Sequence, residues 1–502
     1  MLSGAEVAEH KTRSSCWVII NSKAYNVTEY LDRHPGGAAI LLQYAGQDAT
    51  VIYEPIHPKG TIERFLEPDK HLGPVDPTTY TPSTSPEDQS AQDRNPEIHD
   101  IPRLLSLCFS LDDMERTAQK LLSRPAWVYY HSAADALGAL QNNADDWRKI
   151  MLRPRVMRNV RRIDTSKTLL GYRVKYPFFI APAARAGLAD EDGELCLARG
   201  AAKMGVGYCV SSVASFPHGD ISRAFYENYG GSHGTLWFQL YVANEKAVTM
   251  ERIEAARRGG YKALVITVDS SVVGKREEDE RHRAETSAGS LSSSFSQEPP
   301  LSPPVDDAAR NDQGDPLPLR GVHSSTLNWD DLVWIREAWQ NSGPIALKGI
   351  QTAEDVALAV EYGIDAVYLS NHGGRQCDDA PSSIQTLLEI RRFYPRIIED
   401  RKIEIYLDGG VRRGADVVKA LCLGANAVGL GRPFMYSVAM GNEGVLKAIQ
   451  LLSEEIETTM RLIGATSMDE LSASFVNTKR LELELVDSLG ALSLRPQISS
   501  KL

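Results

Sequence analysis

The stretch Ala366-Val367-Tyr368-Leu369-Ser370-Asn371-His372-Gly373-Gly374-Arg375-Gln376 decides the fold. Four apolar residues running into a glycine-rich polar turn read as a buried strand and its end. A histidine, two glycines and a guanidinium follow at once, so the chemistry sits where the strand stops. The pattern recurs downstream, where one apolar run ends in Leu407-Asp408-Gly409-Gly410-Val411-Arg412-Arg413-Gly414 and another in Val428-Gly429-Leu430-Gly431-Arg432-Pro433. Strand ends that carry reactive groups, with helices between them that carry packing, define a parallel α/β barrel.

Outward from these runs, strands are expected at Phe178–Pro182, Val206–Ser211, Leu236–Tyr241, Ala263–Asp269, Pro344–Lys348, Ala366–Ser370, Ile403–Asp408 and Ala427–Gly431. Helical stretches follow them, such as Thr352–Tyr362 and Gly414–Leu423. Eight such units predict a (β/α)8 TIM barrel within residues 103–490. Residues 275–322, rich in Ser, Pro, Asp and Glu, interrupt the pattern after the fourth strand and read as a mobile insert. Whether that insert is a decoration or a lid stays open. Residues 76–102 read as a Pro- and Ser-rich linker, and residues 1–75 as a small separate module.

A chain of 502 residues is too long for one ordinary core. Its net charge of -11 argues against nucleic acid or an anionic membrane as partner. No apolar run approaches the roughly 18 residues that span a bilayer. The cysteines form no Cys-x-x-Cys pair, which fits a reducing compartment and offers no metal site.

The strand-end residues suit a definite chemistry. Removing a hydrogen beside a carboxylate needs a base, a cation for the carboxylate and an electron sink. His372 is the candidate base, and Arg375 offers the planar fork that grips a carboxylate. Asp408 is expected to hold the imidazolium. Lys348 ends the fifth strand, beside a reduced anionic cofactor ring. Gly409, Gly410, Arg412, Gly431 and Arg432 follow the seventh and eighth strands, where barrels commonly hold a phosphate. No Gly-x-Gly-x-x-Gly follows a strand, so a mononucleotide such as FMN is preferred to a dinucleotide.

In the first block, His34-Pro35-Gly36-Gly37 and His57 place two histidines beside short helices, able to clamp one iron from opposite faces. With Cys16-Trp17-Val18-Ile19 and Tyr25-Asn26-Val27-Thr28, the stretch resembles a cytochrome b5-type domain over residues 3–75. The resemblance implies an α+β fold with haem b, and His34 and His57 as its axial ligands. With both axial positions filled, such a module carries electrons and binds no gas.

The barrel motifs resemble the FMN-dependent 2-hydroxy-acid oxidase and dehydrogenase family, in its two-domain, haem-bearing flavocytochrome form. That resemblance implies that Tyr129 and Arg375 bind the substrate carboxylate with Arg276 nearby, and that Tyr241 binds its hydroxyl. His372 would be the base, with Asp408 behind it. Ala183, Ala184, Ser211, Gln239, Thr267 and Lys348 would contact the flavin ring. Asp408, Gly409, Gly410, Arg412, Gly431 and Arg432 would hold the rest of the cofactor. Asp269 and Arg276 match the family's Thr-Val-Asp and Arg-Arg-Glu patterns. Four positions depart from the family: Ala183 replaces a threonine, Arg185 an apolar residue, Ala133 the glycine of a Tyr-Tyr-x-Ser-Gly motif, and Val213 a bulkier Trp or Leu.

The implied activity is oxidation of an L-2-hydroxy acid, L-lactate or a relative, to the 2-oxo acid. Electrons would pass through FMN to the haem and on to a one-electron acceptor. A peroxide-forming oxidase using dioxygen and a haem carrier with an inactive barrel are the alternatives, and whether a hydride or a carbanion is involved stays open. The resemblance also implies a homo-oligomer, a tetramer. The module pattern begins by Glu6-Val7-Ala8-Glu9-His10, which leaves no room for a mitochondrial presequence. Ser500-Lys501-Leu502 reads as an address for the peroxisomal import receptor, with cytoplasm as the alternative.

Overall fold

The computed structural model describes residues 1–34, 38–53, 57, 60–80, 100–231, 233–289 and 320–489. Most of the expected linker, residues 290–319 of the insert and the C-terminal tripeptide lie outside the described residues. Two compact units divide the chain, Met1–Ile101 and Pro102–Leu502.

In the first unit, strands Lys11–Thr12, Ser15–Ile20, Lys23–Asn26 and His71–Pro74 form one antiparallel sheet in sequence order. Alternation along Ser15–Ile20 sorts its side chains to two faces. Cys16, Val18 and Ile20 join Tyr25, Val27 and Leu31 in one core, while Ile19 packs with Val7, Ala24 and Val75 in another. Leu41, Leu42, Tyr53 and Ile62, from the short helices Ala38–Gln43, Thr50–Tyr53 and Thr61–Phe65, cover the larger core. This is the expected α+β module.

The second unit is built on a closed, all-parallel eight-stranded barrel. Its strands are β1 (Phe178–Ile180), β2 (Gly207–Val210), β3 (Thr235–Leu240), β4 (Leu264–Thr267), β5 (Ile345–Ile350), β6 (Ala366–Leu369), β7 (Glu404–Leu407) and β8 (Ala427–Leu430). Pairing of Val428 with Phe178 and of Leu430 with Ile180 closes β8 onto β1. Each strand overlaps its predicted stretch, with β3 starting one residue earlier and β5 running two residues further, because strands covered on both faces read as continuous apolar runs. Phe179, Trp237, Tyr368 and Tyr406 fill the interior, with ring centroids 5.0 Å apart for Phe179–Trp237 and 5.3 Å for Phe179–Tyr368. Large aromatic rings meeting edge to face make the barrel a packed core.

One expectation about the insert changes. Its first part is a helix, Glu277–Gly289. Ion pairs Arg281–Glu277 and Arg283–Asp279 lie at i,i+4 along it, and Arg124–Glu285 at 2.7 Å ties it to the barrel. A helix held by charged pairs, with almost no apolar face, escapes a reading based on hydrophobic periodicity. Among the described residues no helix is long and apolar enough to cross a membrane.

Candidate active site

The site lies where the β strands end. After β6 the chain enters the left-handed region for three residues, His372 (φ 58°), Gly373 (φ 66°) and Gly374 (φ 75°). Glycine accepts this freely, but histidine loses roughly 1–3 kcal/mol and must be held there. The His372 amide donates to Ser370 Oγ at 3.1 Å, the Gly374 amide to Asn371 Oδ1 at 3.0 Å, and Arg432 Nη1 to the Gly373 carbonyl at 2.8 Å. Asn371 in turn exchanges two amide bonds, 2.8 and 2.9 Å, with Asn143 on helix Gly138–Lys149. The imidazole is therefore held in place, 18% exposed.

Its carboxylate partner is Asp269, not Asp408 as the sequence reading expected. Asp269 Oδ1 lies 2.9 Å from His372 Nδ1, and Asp269 is almost fully buried. Asp408 follows β7 and is tied to β6 through its backbone amide, which donates to the Leu369 carbonyl, but its carboxylate makes no bond to the ring. The reason is steric. Asp269 must cross over β5 to reach His372, and Gly349 (φ 104°) opens the way, since a Cβ there would lie 2.6 Å from Asp269 Cγ. The sequence showed Asp269 in its motif, but a gap in the strand between donor and acceptor is visible only once β4, β5 and β6 lie side by side. Burial pushes the His372 imidazole below its ordinary range, against an upward pull from Asp269. Burial would raise the Asp269 carboxyl, yet the facing His372 and Lys348 outweigh it and hold it low. The pair is thus a neutral imidazole backed by a carboxylate, poised to take a proton at Nε2.

Nε2 faces Tyr241, whose hydroxyl is 3.3 Å away. Burial raises the Tyr241 phenol, so it remains a hydrogen-bond donor. Behind it His323 stacks in parallel, with ring centroids 4.1 Å apart and planes 3° off; burial lowers His323 to about 4, so the stack is uncharged. No sequence signal marked His323, which lies in an irregular segment after the insert.

Arg375 comes round beside Tyr129. Its Nη1 donates to the carbonyls of Tyr129 (3.0 Å) and Ser132 (2.6 Å), and its guanidinium lies 5.5 Å from the Tyr129 ring centre. Arg432 donates to the carbonyls of Tyr130 (2.9 Å) and Ser132 (3.0 Å). Burial and the neighbouring Arg432 lower Arg375 to about 10, while burial and Arg375 lower Arg276 to about 10. Cations gathered this closely repel each other out of water, and an incoming anion relieves that repulsion.

The cofactor side can be tested on the same coordinates. Buried Gln239 donates to Thr267 Oγ1 (2.8 Å) and accepts from the Ser212 amide (3.1 Å). Ser211 Oγ accepts from the Val213 amide at 3.1 Å. Lys348, 4% exposed, donates to Ser370 Oγ at 3.1 Å. Ala183 and Ala184, just past β1, offer only backbone groups. At the β7 and β8 ends Arg412 pairs with Glu115 at 2.7 Å. Two buried atoms, Asp408 Oδ1 and Arg412 Nη1, have no hydrogen-bond partner among the described residues. Such groups cost about 1–3 kcal/mol each unless a ligand satisfies them. After β8, a side chain at Gly431 would meet no atom within 4 Å. Gly409 is pinned through its carbonyl by Trp147 Nε1 at 2.9 Å. Gly410 (φ 71°) presses on the Asn143 backbone so closely that any Cβ would overlap it. An unpaired acceptor at Asp408 Oδ1, an unused N–H donor at Arg412 Nη1 and the open position at Gly431 fit a phosphorylated polyol such as the ribityl phosphate of FMN. Glu115, Asn143 and Trp147 went unmarked in the sequence because they lie on helices outside the eight βα units, where only packing is expected.

In the first unit, the rings of His34 and His57 face each other with centroids 5.9 Å apart. An imidazole nitrogen sits about 2 Å from a bound metal, so two rings clasping one ion have centroids roughly 6 Å apart. His57 Nδ1 hydrogen-bonds the Tyr53 carbonyl at 3.0 Å while Tyr53 stacks on the ring at 4.3 Å. Engaging Nδ1 in this way turns Nε2 toward the metal position. The pair fits a haem iron.

Comparisons with known proteins agree with this geometry. Residues 118–478 match the FMN-dependent dehydrogenase family, and residues 3–76 match the cytochrome b5-like heme/steroid binding domain. The chain is 37% identical to an L-lactate dehydrogenase (cytochrome) of Wickerhamomyces anomalus, over 95% of this chain and 79% of that one. It is 38% identical to 2-hydroxyacid oxidase 2 of Mus musculus, over 74% of this chain and 99% of the relative. A solved flavocytochrome b2 variant superposes with TM-score 0.68 at 32% identity, covering 81% of this chain and 95% of that one. The chain belongs to the FMN-dependent dehydrogenase family. It is an FMN-dependent hydroxy-acid oxidoreductase that uses FMN and haem b.

Proposed function

We propose that this chain oxidises L-lactate or a close L-2-hydroxy acid to the 2-oxo acid and sends the electrons out through its haem. The observation that carries the reading is the approach of the Tyr241 hydroxyl to His372 Nε2 at 3.3 Å, beside the Arg375–Tyr129 pair. Arg375 grips the substrate carboxylate, helped by Tyr129 and, from the facing side, Arg276. Tyr241 orients the hydroxyl, and His372 Nε2 accepts the departing proton. Asp269 stabilises the imidazolium so formed. Lys348, Gln239, Thr267, Ser211 and the Ala183-Ala184 backbone hold the flavin ring, and Asp408, Gly409, Gly410, Arg412, Gly431 and Arg432 its polyol and phosphate. FMN, when bound, supplies the two-electron acceptor. His34 and His57 hold the haem that takes electrons singly.

The test is the visible spectrum of the purified holoenzyme on adding L-lactate. Flavin bleaching followed by reduced b-type bands is expected. Bleaching without haem reduction, with hydrogen peroxide formed in air, would replace this reading by the oxidase one, which the barrel-only oxidase relative favours. We also propose peroxisomal import, supported by Ser500-Lys501-Leu502. Deleting that tripeptide should shift a tagged protein to the cytosol with unchanged kinetics, and an unchanged distribution would refute it. Formation of a homo-oligomer belongs to the same reading and is checked by light scattering.

A further inference from the structure

Arg185 is a charged side chain beside Tyr129 that neither the base, the carboxylate grip nor the cofactor side uses. It follows β1 at φ 62°, ψ 46°, a left-handed conformation that a non-glycine residue rarely keeps without reason. Several bonds enforce it. The Tyr130 hydroxyl donates to the Arg185 carbonyl at 2.6 Å. The Ala186 and Ser215 amides both donate to Oε1 of fully buried Glu194 at 2.9 Å, and the Gly187 amide donates to Ser215 Oγ at 3.0 Å. The loops after β1 and β2 are thereby stitched together, and the direction of Arg185 is set by structure.

That direction is toward Tyr129. The Arg185 guanidinium lies 5.5 Å from the Tyr129 ring centre, and the Arg375 guanidinium lies 5.5 Å from the same centre. The two cations are therefore separated by at most twice that distance. Arg185 is half-buried, yet among the described residues it forms no ion pair. A guanidinium in such a place contributes little by facing a methyl group, whereas a second carboxylate would engage it through charge-assisted bonds. That upper limit excludes a long diacid and admits a short one. Carboxyl carbons three or four bonds apart, at about 1.5 Å per bond along a bent chain, lie roughly 4–5 Å apart. With N···O contacts of about 2.8 Å at each end, such a molecule bridges two guanidinium groups across the Tyr129 ring. Val213, on the stitched neighbouring loop and 39% exposed, is small enough to leave room for the extra carbons.

We propose that Arg185 is a specificity-determining residue that pairs with the distal carboxylate of a four- or five-carbon L-2-hydroxy dicarboxylate. The inference rests on the 2-hydroxy-acid oxidation proposed above and names the substrate class of the same site. The reaction is unchanged: the substrate Cα–H and O–H bonds break, a C=O bond forms, and two electrons go to FMN. Only the side-chain end of the substrate differs.

The experiment measures kcat/KM of the full-length holoenzyme for L-lactate, L-2-hydroxybutyrate, L-malate and L-2-hydroxyglutarate, in unaltered enzyme, Arg185→Leu and Arg185→Lys. The diacid-to-lactate ratio should fall about 10- to 150-fold in Arg185→Leu, the range for a hydrogen bond to a charged group. Most of the change should appear in KM, and Arg185→Lys should recover part of it. An equal loss on all four acids would mean that Arg185 only braces Tyr129, and would overturn the proposal. Bleaching of the flavin by L-lactate but by neither diacid overturns this inference alone, and bleaching by no 2-hydroxy acid overturns the underlying function with it. If Arg185→Leu does not fold, product inhibition of the unaltered enzyme decides. Oxaloacetate or 2-oxoglutarate should bind at least 10-fold more tightly than pyruvate, and weaker binding would refute the pairing.

Discussion

Replacing Asp269 by Asn is the sharpest test of the site, because it separates two carboxylates that the sequence alone cannot rank. The Nδ1–Oδ1 bond of 2.9 Å joins a buried carboxylate to a ring that becomes charged when Nε2 takes a proton. A hydrogen bond to a charged group contributes about 1.5–3 kcal/mol, or roughly 10- to 150-fold. At an effective dielectric near 20, the attraction over about 4 Å reaches about 4 kcal/mol, which sets the upper limit near 10³-fold. The expected loss in kcat/KM is therefore about 10²-fold, at the lower end of the roughly 10²–10⁴-fold that a positioned base itself contributes and that His372→Gln would remove. Stopped-flow flavin reduction reads this directly, with FMN content measured in parallel. The pH profile has a defined sign. Burial lowers His372 and Asp269 raises it, so losing the carboxylate moves the acid limb of kcat/KM to lower pH. Asp408→Asn should instead weaken FMN retention and leave flavin reduction in the loaded fraction within about threefold. A near-normal Asp269→Asn beside a slow, FMN-replete Asp408→Asn would refute the assignment.

Arg375→Lys should raise KM for every 2-hydroxy acid by about 10-fold or more, because an ammonium cannot both donate to the Tyr129 and Ser132 carbonyls and grip a carboxylate; an unchanged KM would count against that role. His57→Ala should abolish the six-coordinate b-type spectrum and keep substrate-driven flavin bleaching, since the two units have separate cores; loss of both would show that the flavin site needs the haem. His323→Ala removes the stack on Tyr241, worth about 0.5–1.5 kcal/mol, so kcat/KM should drop about 2- to 12-fold and return in His323→Phe. Failure of phenylalanine to restore it would point to a polar role for the ring.

The barrel was legible in the sequence because strands buried on both faces must be continuous apolar runs, and such runs end at β6, β7 and β8 in residues that only a site requires. His372, Arg375 and the glycine–arginine pairs sit directly on those ends, and Lys348 lies within β5 two residues before its end, so position along the chain carried their position in space. The histidine pair at His34 and His57 was equally legible, through its motif. What the sequence could not decide was which side chains meet across strands. Asp408 stands on the strand next to β6, whereas Asp269 stands two strands away, and only the gap at Gly349 lets the more distant carboxylate reach His372. His323, Glu115, Asn143 and Trp147 likewise come from segments with no periodic signal that points at the mouth. The left-handed turn at Arg185 sends its cation to the Tyr129 ring through bonds to Tyr130, Glu194 and Ser215. Local pattern records which face of a strand or helix is buried; the closure of the barrel decides which ends face one another.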